Sequence, residues 1–122
     1  MNAEVKKYKR GDVLFADLGE PVGGELGHRR PVIVIQRNDT IPQSEKVIVA
    51  LITGKTINAI SKALFQFKVS SSQQVMTILL DNIRTIDKCR LVRYVGHFNG
   101  SEIEGINAAL AYAVGLDEVS DK

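Results

Sequence analysis

The chain has 122 residues, 16 Lys and Arg against 14 Asp and Glu, a formal net charge of +2 and 44% apolar residues. That length holds one modest core rather than two, and the near-neutral balance excludes bulk charge as a sign of nucleic-acid binding, so any case for a polyanionic partner has to be local. No apolar run reaches membrane-spanning length and no apolar segment follows the N-terminal charges, so a cytoplasmic protein without a membrane partner is expected.

Residues 1–9 are polar and lysine-rich and read as a flexible arm. A strand follows, opened by Gly11 and closed by Gly19, with Val13 and Phe15 alternating and Leu18 beyond them. EPVGGELGH, residues 20–28, is a glycine-rich loop free to take positive φ and to bring backbone close to a ligand. Residues 31–36 form the second strand, apolar on both faces and therefore central. RNDTIPQSE is a turn-rich connection, and KVIVALIT is another doubly apolar strand, closed by the turn signal Thr53-Gly54. LFQFKV adds a strand. VMTILLDNIRTI is one bent strand or two broken at Asp81-Asn82, and LVRYVGHF is the last.

The final element is helical. Ser101 followed by Glu104 makes a capping box, with Asn99 and Glu102 as a competing register. Ile103, Ile106, Leu110 and Ala113 or Val114 share one face, Gly115 supplies the stop, and residues 117–122 are a short polar tail. Short strands separated by turns and closed by one amphipathic helix give a mainly β fold with α, a small antiparallel β-barrel with the helix packed on it.

Cys89, the single cysteine, cannot form an intrachain disulfide, and His28 and His97 do not make a zinc set, so no metal and no other cofactor is expected. Three segments place polar residues at the ends of apolar strands: the loop from Glu25 to Arg30, Thr53, and the run from Asp81 to Thr85. For a phosphodiester ligand Arg30 is apt, being always charged, planar and able to donate two parallel hydrogen bonds. Pro31 fixes the chain just after it, and Thr53 could add a hydroxyl with little entropy to lose. By residue type alone the bland readings weigh more: a surface cation at a strand start, and a threonine common in strands. The seven aromatic residues are expected mostly at core positions, leaving few platforms for stacking bases.

The segments RGDVLFADL, GGELGHRRPVIVIQRND, VIVALITG and DNIRTIDKCRL, in that order and spacing, together with the closing ALAYAVGL, resemble the MazF/PemK toxins, or mRNA interferases, from Arg10 to about Leu116. The resemblance implies an SH3-like barrel of the CcdB/PemK kind, a homodimer, and metal-independent, sequence-specific cutting of single-stranded RNA. Attack by a ribose 2′-hydroxyl would leave a 2′,3′-cyclic phosphate and a 5′-hydroxyl. It also implies a cognate antitoxin protein as partner. On this reading Arg30 and Thr53 are catalytic and Glu25 is a candidate for activating the 2′-hydroxyl. Glu25 reads equally well as a solvated carboxylate or a tether for Arg29 or Arg30. Gly27, His28, Arg29, Asp81, Asn82 and Arg84 are candidate RNA contacts, and a structural ion-pair role for Arg84 is slightly favoured. Leu26 stands where the family usually has glutamine, Asn82 replaces a frequent glutamine, and Arg37 looks like a one-residue insertion. Two other readings compete. A gyrase poison resembling CcdB is disfavoured by the polar DEVSDK ending and the lack of tryptophan, and a nucleic-acid-binding homologue without catalysis is disfavoured by the scarcity of aromatics.

Overall fold

A computed structural model describes residues 7–20, 23, 28–55, 61–69 and 72–119. Glu25, Leu26, Gly27, most of the N-terminal arm and the last residues of the tail lie outside these. Six strands, β1 (Asp12–Asp17), β2 (Arg29–Val34), β3 (Lys46–Thr53), β4 (Leu64–Lys68), β5 (Val75–Asp87) and β6 (Leu91–His97), are followed by one helix, α1 (Gly100–Ala113). The strands pair antiparallel in the order β4-β5-β3-β2-β1-β6. The mainly β fold with a packed C-terminal helix is therefore as expected. Barrel is a loose word for it, since β4 and β6 are the outer strands of an open sheet among the described residues.

β2 and β3 hold the centre, and their continuous apolar runs are buried on both faces except at Ile48, which is exposed near the start of β3. Leu14, Ala16, Val32, Val34, Val47, Val49, Leu51 and Ile86 pack on one face with Ile41. Ile33, Ile35, Ala50, Ile52, Ile78 and Leu80 pack on the other with Phe98, Ile106 and Ala109. Alternation along each strand produces this division, and each aliphatic side chain fully buried contributes about 1.5–3 kcal/mol.

The second strand begins earlier than expected, at Arg29, and ends at Val34, because Arg29 and Arg30 pair with Asp17 and Ala16 of β1. Pro31 leaves its mark on the other side. The Ile35 N–H donates to the Ile48 carbonyl, so odd-numbered residues of β2 aim their backbone at β3. Pro31 has no N–H for the next rung but one, and the recorded β2–β3 pairing stops at Val32–Leu51.

β5 is one strand, not two. Its register against β3 steps from Ala50↔Ile83 to Leu51↔Leu79, so Leu80, Asp81 and Asn82 form a bulge that absorbs the bend. The connection after β2 is a 3-10 turn, Asn38–Gln43, anchored by buried Ile41. Arg37 is accommodated just before it: its carbonyl accepts from the Thr40 N–H and hydroxyl, and its side chain meets Asp39 at 2.9 Å.

The helix takes the competing cap register. Asn99 Oδ1 accepts the Glu102 N–H at 2.8 Å, and Glu102 Oε1 accepts the Asn99 N–H at 2.9 Å. Phe98, just before the cap, and Ile103 belong to the same apolar cluster, a hydrophobic staple that a cap at Ser101 would forfeit with Gly100 in that place. At the other end Gly115 takes φ +72° and the Leu116 N–H donates to the Ala111 carbonyl, closing the last turn.

Candidate active site

β1 and β2 bring the cations to one end of the sheet. The Leu18 N–H donates to the His28 carbonyl at 2.9 Å and the His28 N–H donates to the Gly19 carbonyl, so these two residues close the neck of the loop. His28 does so at φ 62°, a left-handed conformation that histidine tolerates better than most side chains. It is exposed at the rim. Arg29 and Arg30 then alternate. Arg30 shares a face with its partner Ala16 and with Val32, the first cluster's face, while Arg29 sits on the opposite one. Arg29 and Arg30, neighbours in sequence, thus face opposite sides of the sheet.

Thr53 is the last residue of β3 and is only 4% exposed. Its Oγ1 accepts the Lys55 N–H at 3.2 Å, a side-chain turn that ends the strand at Gly54 and leaves the hydroxyl proton for another acceptor. Continuing the β2–β3 register two positions beyond Val32–Leu51 sets Arg30 across from Thr53. Thr53 in turn pairs with Thr77 on β5, and Thr77 with Gln66 on β4. Ala16, Arg30, Thr53, Thr77 and Gln66 therefore form one row across five strands, on one face of the sheet. The chemistry in that row is a guanidinium, half-buried and held by strands, beside hydroxyls. Such a set can neutralise and orient a phosphate group without moving to do so.

The other predicted residues lie further along. Asp81 and Asn82 fall in the bulge opposite the step between Ala50 and Leu51, two to three residues from Thr53, or about 7–10 Å along the strand. Asp81 is exposed and Asn82 half-buried. Arg84 pairs with Val49, four residues from Thr53 and so about 13 Å along β3. Thr85 is exposed. Glu25 and Gly27 are outside the described residues.

Three groups were missed by sequence reasoning. Arg90 donates to the Asp17 carbonyl at 3.0 Å and braces the loop neck from the turn before β6, a contact spanning most of the chain that no local pattern announces. Asp12, nearly buried, accepts from Lys9 N–H at 2.9 Å and contacts His97 Nδ1 at 2.8 Å, tying the start of β1 to the end of β6. Thr77 reads as an ordinary strand residue. The aromatics also differ from expectation. Phe98 is buried, but Tyr94 and Tyr112 are more than half exposed, and Phe15 is capped by the Arg93 guanidinium at 4.6 Å.

An open cleft of about 560 Å³ at the far end of β2 is lined by Arg10, Ile35, Arg37, Asn38 and Asp39. It is a weaker anion site despite two arginines. Arg10 Nε donates to the Ile35 carbonyl at 2.9 Å, burial lowers the pKa of its guanidinium, and Arg37 is neutralised by Asp39. Among the described residues no group of three His, Cys, Asp or Glu side chains is placed to hold a metal ion. No described helix is long and apolar enough to cross a membrane.

A family profile described as PemK-like, MazF-like toxin of type II toxin-antitoxin system matches residues 9–114. The chain is 35% identical over 118 residues to Endoribonuclease MazF of Staphylococcus saprophyticus subsp. saprophyticus, covering 91% of this chain and 94% of that protein. It is similar to an endoribonuclease solved in complex with its cognate antitoxin from a Mycobacterial species, with a TM-score of 0.73 and 26% identity over 89% of this chain and 96% of that one. A crystal structure of MazF (Form-I) from Deinococcus radiodurans gives a TM-score of 0.76 over 91% and 99% of the two chains; at 14% identity this is a likeness of fold alone. Sequence match, strand order and helix agree over nearly the whole chain, which belongs to the PemK-like, MazF-like toxins of type II toxin-antitoxin systems.

Proposed function

We propose that the protein is the toxin of a toxin-antitoxin pair and acts as a metal-independent endoribonuclease on single-stranded RNA. What supports this reading is the β2–β3 register, which, extended two positions past Val32–Leu51, would set Arg30 across from buried Thr53 on one face of the sheet. The staphylococcal relative is an endoribonuclease, and the Mycobacterial one binds a cognate antitoxin.

In the reaction the 2′-oxygen attacks the adjacent phosphorus, a P–O2′ bond forms and the P–O5′ bond breaks. The 2′-proton passes to a base, for which Glu25 is the candidate, and the departing 5′-oxygen takes up a proton. Arg30, a guanidinium that does not give up its proton in proteins, is a poor base and serves to hold the charge gathering on the phosphorane oxygens. Thr53 donates its proton to a non-bridging oxygen. A hydroxyl so deeply set is fixed in place and works in a low dielectric, where a dipole aimed at an anion counts for more than in water. Exposed His28 and Arg29 draw the strand to the rim, and Asp81 and Asn82 lie where flanking bases would be read. We place the toxin in the cytoplasm as a homodimer, inhibited by an acidic antitoxin segment laid over Arg30.

The test is incubation of purified protein with single-stranded RNA in EDTA, followed by sequencing of the new ends. Cleavage leaving cyclic phosphates is expected, and an oligonucleotide with a 2′-deoxy sugar at the cut site should survive. Arg30→Ala and Thr53→Val should each slow cutting by about 10²–10³-fold, the usual cost of one preorganised donor, with the fold intact. Cutting at the wild-type rate by either variant removes that residue from the site.

A further inference from the structure

The row across the sheet holds one buried polar group that the proposed reaction does not use. Thr77 is 1% exposed, the most deeply buried polar side chain described, and it stands directly opposite Thr53. Among the described residues nothing hydrogen-bonds its hydroxyl. Its neighbours along β5 on either side, Met76 and Ile78, are apolar and pack against the helix face. Packing alone would be served as well by valine, which has the same shape and buries no hydroxyl. A buried hydroxyl without a partner is costly to keep, which makes the choice of threonine here informative.

We propose that Thr77 is a positioning residue for the Thr53 hydroxyl, an inference that rests on reading Arg30 and Thr53 as the pair that holds the scissile phosphate. Thr53 Oγ1 has one proton to donate and two lone pairs to accept with. The Lys55 N–H fills one lone pair. Thr77 stands directly across the ladder without bonding it in this structure, and a turn about its χ1 as phosphate binds would bring its hydroxyl round to donate into the second, as opposed threonines do in antiparallel pairs. With both lone pairs filled, Thr53 has only its proton left, and that proton points away from both donors. The hydroxyl then cannot act as an acceptor, and its dipole is strengthened by the bond it receives. Such a group suits an anion that offers only acceptors, a non-bridging phosphate oxygen, and disfavours water or a base edge that needs an acceptor in return. Thr77 touches no substrate in this account and acts only through Thr53.

The experiment compares wild type, Thr77→Val, Thr77→Ser, Thr53→Val and the Thr53→Val/Thr77→Val double variant in single-turnover cleavage of a long natural single-stranded RNA, with protein concentration varied to separate rate from binding. Thr77→Val should lower the saturated rate on the order of 10-fold, with the half-saturating concentration and the melting temperature kept or the latter raised. Thr77→Ser, which retains the hydroxyl, should cut at near the wild-type rate. The double variant should retain the residual rate of Thr53→Val alone, because Thr77 has nothing left to position. Wild-type cutting by Thr77→Val overturns the inference, as does a double variant slower than Thr53→Val by the full Thr77→Val factor. If wild type leaves the RNA intact, or Thr53→Val cuts at full rate, the underlying reading of the site falls instead, and this inference falls with it.

Discussion

At the scale of single residues the site turns on what a guanidinium can do that an ammonium cannot. Arg30 is half-buried on β2 with its backbone paired to Ala16, so less of its stem is free to move than on an open surface. Arg30→Lys keeps the charge and loses the two parallel donors. If fixed geometry matters, the lysine variant should cut at no more than about a tenth of the wild-type rate while binding RNA with similar salt sensitivity, measured by cleavage and by anisotropy with a 2′-deoxy RNA. Near-normal cutting by Arg30→Lys would mean that a point charge suffices. Arg30 and Thr53 stand out in the sequence as candidates because each sits where an unbroken apolar run meets a turn, and because the motifs around them resemble those of a family. Thr77 was not legible. Inside VMTILL it looks like any β-branched strand residue, and its meaning comes only from the register that pairs it with Thr53.

Among the elements, the strands were legible because period and burial agree: runs apolar at every position became central β2 and β3, as continuous burial demands. Register was not, since it depends on where Pro31 withholds a donor and on a bulge that skips Leu80 to Asn82. The cap shows a milder failure. Both Asn99 and Ser101 have a glutamate three residues on, and the tie is broken by Phe98, whose ring stacks edge-on with Phe67 at 4.9 Å and binds the helix start to the sheet. Helix and sheet also meet at Gly105, where an added Cβ would run into the Phe65 ring. Helix propensity alone says that Gly105→Ala stabilises by about 1 kcal/mol. Overpacking against Phe65 opposes it with about 1–3 kcal/mol, so net destabilisation of up to roughly 2 kcal/mol is expected. Gly100, at the first helical turn, has open space where its Cβ would go, and Gly100→Ala should instead gain about 0.4–1 kcal/mol. Chemical denaturation of the pair reads the signs directly, and a stabilised Gly105→Ala would mean that the helix does not press on β4 as described.

For the whole molecule the formal charge of +2 understates what an approaching polyanion meets, because position matters more than sum. Charges of opposite sign cancel locally over much of the surface: Arg37 with Asp39 and Lys46 with Asp87 are exposed pairs at 2.9 and 3.0 Å. At the loop neck the balance tips towards cations, with Arg29 opposite Asp17, Arg30 next to it on β2 and Arg90 reaching across to the end of β1. The sheet places Arg29 and Arg30 on opposite faces, so RNA bound at Arg30 would feel Arg29 as a potential over the rim rather than as a contact. Binding should therefore be salt-dependent but modestly so. If about three cations exchange counterions for phosphates, log K falls with log salt at a slope near −2 for a single strand. A rise from about 50 to 200 mM salt would then weaken RNA binding roughly 20-fold. An acidic antitoxin segment that occupies the same cations should lose affinity over the same range, and Arg90→Ala should flatten both slopes if its charge is felt at the neck. Anisotropy titrations with a 2′-deoxy RNA and with the antitoxin's C-terminal peptide measure the two slopes side by side. Parallel slopes support one shared cationic rim. A peptide indifferent to salt would place inhibition on apolar contacts elsewhere, and the loop neck would then serve RNA alone.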